Sequence, residues 1–295
     1  MSNLYRAKAG LVFGLGLLAV ALVGAQDPEF VSQTPPPGWY VYPMDRLDSP
    51  TIRCLIYSNR GRTVSIDGGQ LKIADYKPQK TEQPELPEHF TFKPEWRRGA
   101  GRHVIKFDGG WLVGIDAGEW GGGLWITNQD GTISKQIVMD NIKGIIPASG
   151  GIFVFSGLAH LHSDFGNVLM LSDPRYMHVT FEWSAHLMSA PQASAVQYDN
   201  SVLTATKFDV TQFTSSGEMN RLFWIKQFRG YPWYINSIAE TADGTIYLGS
   251  QVFVLRFRPT GVRHVETLSD YSEDLLLPNS CRQFVMSSNQ CVCSQ

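Results

Sequence analysis

The stretch HVIKFDGGWLVGID, residues 103–116, decides how this chain reads. Apolar and β-branched residues run up to Asp108-Gly109-Gly110 and resume at once at Trp111. Two such runs split by Asp-Gly form a β-hairpin, because glycine supplies the positive φ that a tight turn between twisted strands needs. The arrangement recurs as TVSIDGGQLKIA (63–74), GIIPASGGIFVFSG (144–157), SAVQYDNSVLTAT (194–206) and INSIAETADGTIYLGS (235–250). The turn residues Gly69, Gly110, Gly151, Asn200 and Gly244 lie 41, 41, 49 and 44 residues apart. A period of this size with several short strands per unit is the signature of a β-propeller.

Second halves of the units carry two further strands. In the second unit GLWIT (123–127) leads through Asn128-Gln129-Asp130-Gly131 into TISKQIVM (132–139). In the third, NVLML (167–171) precedes MHVTFEW (177–183); in the fifth, QVFVLRF (251–257) precedes VRHVETL (262–268). The first unit is poorer, since residues 75–96 hold four prolines and many charges. Proline cannot donate to a strand ladder, so this stretch reads as a surface excursion with one short edge strand at 89–93.

The sequence therefore predicts an all-β propeller of five blades, starting near Arg62, Arg102, Asn141, Ala193 and Tyr234. A composite sixth blade would join a strand at 51–58 (TIRCLIYS) to one in CRQFVM (281–286). The competing architecture is a β-sandwich of hairpins, which the regular period disfavours. No long helix is evident.

Residues 1–25 begin with Arg6 and Lys8, continue as the uncharged run AGLVFGLGLLAVALVGA (9–25), and end in small residues. That order is a secretory signal peptide, with an uncleaved anchor as the alternative. Residues 26–50, with Pro35-Pro36-Pro37-Gly38, read as an extended N-terminal segment, and 51–295 as one domain. The 270 residues after the signal carry 23 basic and 27 acidic side chains. This mild acidity argues against a nucleic-acid partner. No second apolar run is long enough to span a membrane, so the exported form is expected in the periplasm or outside the cell.

Cys54, Cys281, Cys291 and Cys293 all lie in the exported part, where disulfides persist. A Cys54–Cys281 bridge would join the two ends of the ring, leaving Cys291 and Cys293; the alternative is a local Cys281–Cys291 bridge with Cys54 a buried thiol. GEWGGGLW (118–125) followed by NQDG, and SGLAHLHSDFG (156–166), resemble signatures of an uncharacterised family of exported bacterial proteins with propeller-like repeats. The resemblance covers roughly residues 105–172. It implies export and a β-repeat architecture, and brings no activity, ligand or catalytic residue.

Three constellations bear on chemistry. Asp116 and Glu119 flank a glycine-rich connection beside Trp111, Trp120 and Trp125. Paired carboxylates serve glycoside hydrolysis at defined separations; the structural alternative is that they hold the connection's amides. His160, His162 and Asp164 form H-x-H-x-D, and on one extended strand alternate residues share a face and can meet one metal ion. Packing or hydrogen-bonding roles compete with that reading. Two turns, 128–131 and 241–244, faintly resemble calcium loops but lack the alternating acids, and hairpins explain them. No nucleophile elbow, phosphate loop or cofactor motif occurs.

The function expected is a non-enzymatic binding or interaction module of the bacterial envelope, without a cofactor. Its partner would be a protein or a glycan, met by Glu119, Trp120, Trp125, His160 and His162; one version is an inhibitor or immunity-type protein. The alternative is an enzyme on glycans or envelope polymers that uses Asp116 and Glu119.

Overall fold

A computed structural model describes residues 34–43, 47, 51–52, 54–55, 61–76, 85–92, 100–175, 177–225, 233–260, 271–278, 283–287 and 290–294. The predicted signal peptide and the predicted strand at 262–268 lie outside these residues.

The described residues form antiparallel sheets built almost wholly from consecutive strands. In the first unit the Asp67-Gly68-Gly69 turn joins a two-stranded hairpin, and one further strand precedes it in the chain. These strands are β1 (Trp39–Tyr42), β2 (Gly61–Asp67) and β3 (Gln70–Tyr76). The second unit is β4 (Gly101–Phe107), β5 (Gly110–Asp116), β6 (Gly122–Asn128) and β7 (Ser134–Val138). The third is β8 (Ile142–Ala148), β9 (Gly151–His160), β10 (Ser163–Leu171) and β11 (Phe181–Leu187). The fourth is β12 (Ala193–Val196), β13 (Val202–Ala205), β14 (Asp209–Phe213) and β15 (Met219–Trp224). The fifth is β16 (Ser237–Glu240), β17 (Ile246–Gly249), β18 (Val254–Pro259) and β19 (Tyr271–Pro278). A last hairpin is β20 (Gln283–Ser287) with β21 (Gln290–Ser294).

The turn signals act as the sequence suggests. Phe107 pairs with Gly110 across Asp108-Gly109, and Gly109 has φ +94°. A Cβ on Gly110 would lie 2.0 Å from the carbonyl oxygen of Thr127 on the neighbouring strand, so only glycine fits there.

Apolar side chains pack between neighbouring sheets. Along β9, Ile152 and Val154 join Leu112, Leu124 and Ile126 of the second unit, whereas Phe153 and Phe155 join Val202 and Phe213 of the fourth. Alternation along one strand therefore buries both faces of the sheet. The first strands of the units also touch in succession: β4 with β8, β8 with β12, β12 with β16, and β16 with β2.

Three expectations change. Thr51, Ile52, Cys54 and Leu55 are helical rather than part of a strand. Ile52 and Leu55, one helical turn apart, enter the core shared by the fourth and fifth units. Cys54 beside them is buried and is not a free thiol. Among the described residues no sheet joins 51–52 or 54–55 to 283–286, as the predicted composite blade required. Instead β1, from the segment read as merely extended, pairs with β19 and becomes a fifth strand of the last unit, while β20 pairs with β21. Residues 89–92 form no strand. The proline-rich stretch packs: Phe90 is buried against Trp125 in edge-to-face contact at 5.9 Å, within a cluster that includes Val113 and Ile115.

Long-range bonds fasten the N-terminal elements to the last sheet. Arg62 N–H donates to the Ser250 carbonyl (2.7 Å), and Val64 N–H to Ser237 Oγ (2.8 Å). Arg256, 1% exposed, holds Asp274 (2.7 Å) and donates to the carbonyl of Thr34 (2.9 Å). No described helix is long and apolar enough to cross a membrane.

Candidate functional site

Antiparallel strands put the glycine turns at one end of each sheet and the loop between second and third strands at the other. The glycine-rich connection 117–121 lies at this second end, as a 3-10 turn over Gly118–Trp120. A Cβ on Gly122, where β6 begins, would lie 2.2 Å from the Ile115 carbonyl. The close approach of β5 and β6 is what the glycine run permits.

Asn141, which leads into β8, clasps this turn. Its Oδ1 accepts from Ala117 N–H (3.2 Å), and its Nδ2 donates to the Gly118 carbonyl (2.9 Å). Asp116 accepts from Gly118 N–H (3.1 Å) and from Lys143 Nζ (2.6 Å). Glu119 lies about half exposed and meets His160 Nδ1 at 3.4 Å. The two carboxylates are therefore held apart in role: one is neutralised between strands, the other pairs on the surface.

His103, on β4, lines a small hollow with Lys143 and Ser194. Burial lowers its pKa below the ordinary 6.5; Asp116 opposes this and Lys143 adds to it.

Trp120 is 68% exposed and Met139 is 88% exposed, and both border a hollow of about 280 Å³. Trp125, by contrast, packs on Phe90.

The H-x-H-x-D run is a hairpin turn, not one extended strand. β9 ends at His160, Leu161 has φ +52°, and β10 starts at Ser163. His160 pairs with Ser163, and Asp164 with Ala159, so the alternation needed for a shared metal face is broken. Asp164 is engaged elsewhere, by Ser189 Oγ (2.5 Å), Ala190 N–H (3.1 Å) and Lys207. Burial acts to raise its pKa, but the bonds from Lys207, Ser189 and Ala190 outweigh it and the net direction is down. Among the described residues no group of three or more His, Cys, Asp or Glu is placed to hold a metal ion. The calcium-like turns are Asx turns: Asp130 Oδ1 accepts from Thr132 N–H (3.0 Å), and Asp243 Oδ1 from Thr245 N–H (3.1 Å).

Sequence reasoning missed a second hollow, at the glycine-turn end. It measures about 420 Å³ and is bordered by turns of the first, fourth and fifth units, with Glu240 in its wall. The fourth-unit and fifth-unit residues lie some forty positions apart in the chain, and no local motif marks them. Cys281 lies outside the described residues, and of Cys291 and Cys293 only the strand is described.

No protein-family model matches the sequence, and no curated protein does. Among solved structures the chain is similar to a streptogramin B lyase, at 12% identity and TM-score 0.36, over 59% of this chain and 53% of that one. It is similar to the extracellular domain of a hybrid two-component system of B. thetaiotaomicron, at 12% identity and TM-score 0.34, over 76% and 28%. It is also similar to PorZ, a surface component of the type-IX secretion system of Porphyromonas gingivalis, at 11% identity and TM-score 0.40, over 78% and 37%. The chain thus spans between 28% and 53% of the length of these proteins. Likeness at this level bears on neither the activity nor the partner of this chain.

Proposed function

We propose that this protein is an exported, non-enzymatic binding module built as a five-bladed β-propeller, its blades beginning at β2, β4, β8, β12 and β16. Two-sided burial supports the ring: a sandwich sheet buries one inner face, whereas a blade is covered on both. The succession of first-strand contacts, from β4 through β8, β12 and β16 to β2, follows the order of neighbouring blades in such a ring. Because Cys54 is not a free thiol, its partner is one of the other three cysteines, and we assign Cys281, so that the bridge ties the leading segment to the tail. Peptide mapping under non-reducing conditions tests the assignment; a Cys54 peptide linked to the 290–294 strand would displace it.

The observation that carries the binding role is the engagement of Asp116 by Lys143 and the Gly118 amide. An acid–base pair needs two carboxyls facing one bond. Here Asp116 is ion-paired and Glu119 is turned to His160. The exposed Trp120 and Met139 beside them suit recognition of a partner protein, for which aromatic residues and methionine are favoured. An inhibitor or immunity-type protein in the periplasm is the concrete form this takes.

The test sets the two roles against each other. The purified protein is incubated with peptidoglycan and envelope polysaccharides, and released reducing ends are measured. In parallel it serves as bait for envelope extracts, beside a Trp120→Ala variant. We expect no carbohydrate release, and a protein partner retained by the native chain and lost with Trp120→Ala. Release of reducing ends that disappears in Asp116→Asn or Glu119→Gln would overturn the binding role in favour of the enzyme.

A further inference from the structure

The hollow at the glycine-turn end is distinct from the Trp120 surface and has its own chemistry. Its volume of about 420 Å³ is that of a small-molecule pocket. Ile66, from the β2–β3 hairpin, and the wholly exposed ring of Tyr198, from the β12–β13 turn, provide apolar area.

Several of its polar side chains are bonded to one another or to the nearby backbone. Gln197 Nε2 donates to the Ala195 carbonyl (3.2 Å), and Gln212 Nε2 to Ser201 Oγ (2.8 Å). The Thr241 hydroxyl is engaged by Asp243 (2.6 Å) and the Thr245 carbonyl (3.0 Å). Asp199 is met by the Ser201 amide (2.9 Å), the Ser201 hydroxyl (2.6 Å) and Gln212 Nε2 (3.5 Å), so the carboxylate left open in the wall is that of Glu240. The Glu240 carboxyl accepts no hydrogen bond from any described residue. None of the lining residues is basic. Burial raises the Glu240 pKa, and the nearby charges of Asp199 and Asp243 raise it further, with no positive side chain in the lining to oppose them.

A neutral polyol brings donors and acceptors in equal measure. An ammonium or guanidinium group brings donors only, along with the missing charge. A bare metal ion fits less well, since the described residues include no group of three or more ligands placed to hold one. An aromatic face adds attraction for a cation.

We infer that this hollow is a binding site for an organic cation: an alkylammonium or alkylguanidinium group hydrogen-bonded to Glu240 and lying against Tyr198. The same chemistry is offered by a free amine and by a lysine or arginine side chain of a peptide.

Isothermal titration of the purified protein with putrescine, agmatine and Nα-acetyl-lysine methylamide tests this, with 1,4-butanediol as the uncharged analogue. Saturable binding of the cations but not of the diol is expected. Tighter binding of putrescine or agmatine identifies a free amine as the source, and tighter binding of the lysine derivative identifies a peptide. Glu240→Gln should weaken binding about tenfold or more, as loss of a charge-assisted hydrogen bond does. Tyr198→Ala, at an exposed site that leaves the fold intact, should weaken it about two- to fivefold. The inference is overturned if none of the three cations saturates by about 10 mM, a value corresponding to negligible affinity. It is equally overturned if the diol binds as well as putrescine, or if neither substitution changes the affinity.

Discussion

Asp164 and Glu240 are both partly covered carboxyls at ends of the sheets, and their surroundings are opposite. Asp164, at the loop end, receives a lysine, a hydroxyl and an amide, and its pKa goes down. Glu240, at the glycine-turn end, receives none of these and faces two more carboxylates, and its pKa goes up. At the loop end the charged groups hold one unit to the next, as Asp164 of the third unit does with Lys207 of the fourth. At the turn end tight hairpins complete their own hydrogen bonds, those to Asp199 and Asp243 included, and leave the Glu240 carboxyl unmet. The polar chemistry of one end is used for cohesion, and that of the other is left for a visitor.

The largest effect expected from breaking this contrast is at Asp164. Asp164→Asn should destabilise the fold by about 2 kcal/mol at neutral pH, because it removes the ion pair with Lys207 and weakens the bonds from Ser189 and Ala190. Urea denaturation at pH 7 measures it. Since the folded-state pKa is depressed, the contribution is present above the ordinary value of 3.8 and lost as pH falls through the lower folded value. Native and variant proteins should therefore converge in strongly acidic buffer.

Asn141→Ala should cost about 1–2 kcal/mol, since it leaves the Ala117 amide and Gly118 carbonyl without their partner. Thermal melting gives the loss, and increased quenching of tryptophan fluorescence would report loosening of the turn that carries Trp120.

Glu240→Gln should act with the opposite sign. A raised folded-state pKa means the charged form opposes folding, so the native protein loses stability as pH rises above 4.5 toward the folded value. The variant escapes this loss and should melt at a higher temperature at pH 7, with the difference closing below pH 4.5. Equal melting temperatures at pH 7 would remove the contrast between the two carboxyls. The smallest effect is at the half-exposed Glu119–His160 pair: Glu119→Gln should change stability by less than about 0.5 kcal/mol.

Much of the sheet order is local and so was legible. Asp-Gly turns between β-branched runs are written in adjacent residues, and the predicted unit starts at Arg62, Arg102, Asn141 and Ala193 lie within one residue of β2, β4, β8 and β12. What failed was tertiary. TIRCLIYS carries apolar residues at both strand and helix spacings, and burial of Ile52 beside Leu55 favours the helix. The proline-rich stretch gives no local sign that Phe90 will cover Trp125. His160, His162 and Asp164 looked coplanar until a left-handed Leu161 turned the chain between them. Of the loop-end site, Glu119 and Trp120 could be named from the glycine run, but the Lys143 that neutralises Asp116 stands 27 residues away. Glu240 had no motif at all.

The hold of Arg256 on the Thr34 carbonyl, across 222 residues, has a consequence for the order of events during synthesis. β1 waits for β19, so the leading strand has no partner until nearly the whole chain has been made. Each middle unit closes on itself through short hairpins and can form early, whereas the joining of the ends is a late, entropically costly loop closure. Such a chain has high contact order and is expected to fold on the slow side of the β-protein range, in milliseconds to seconds. Until then the edge of β19 stands open, and it is during this interval, rather than in the folded protein, that a stray strand from another chain has its opportunity.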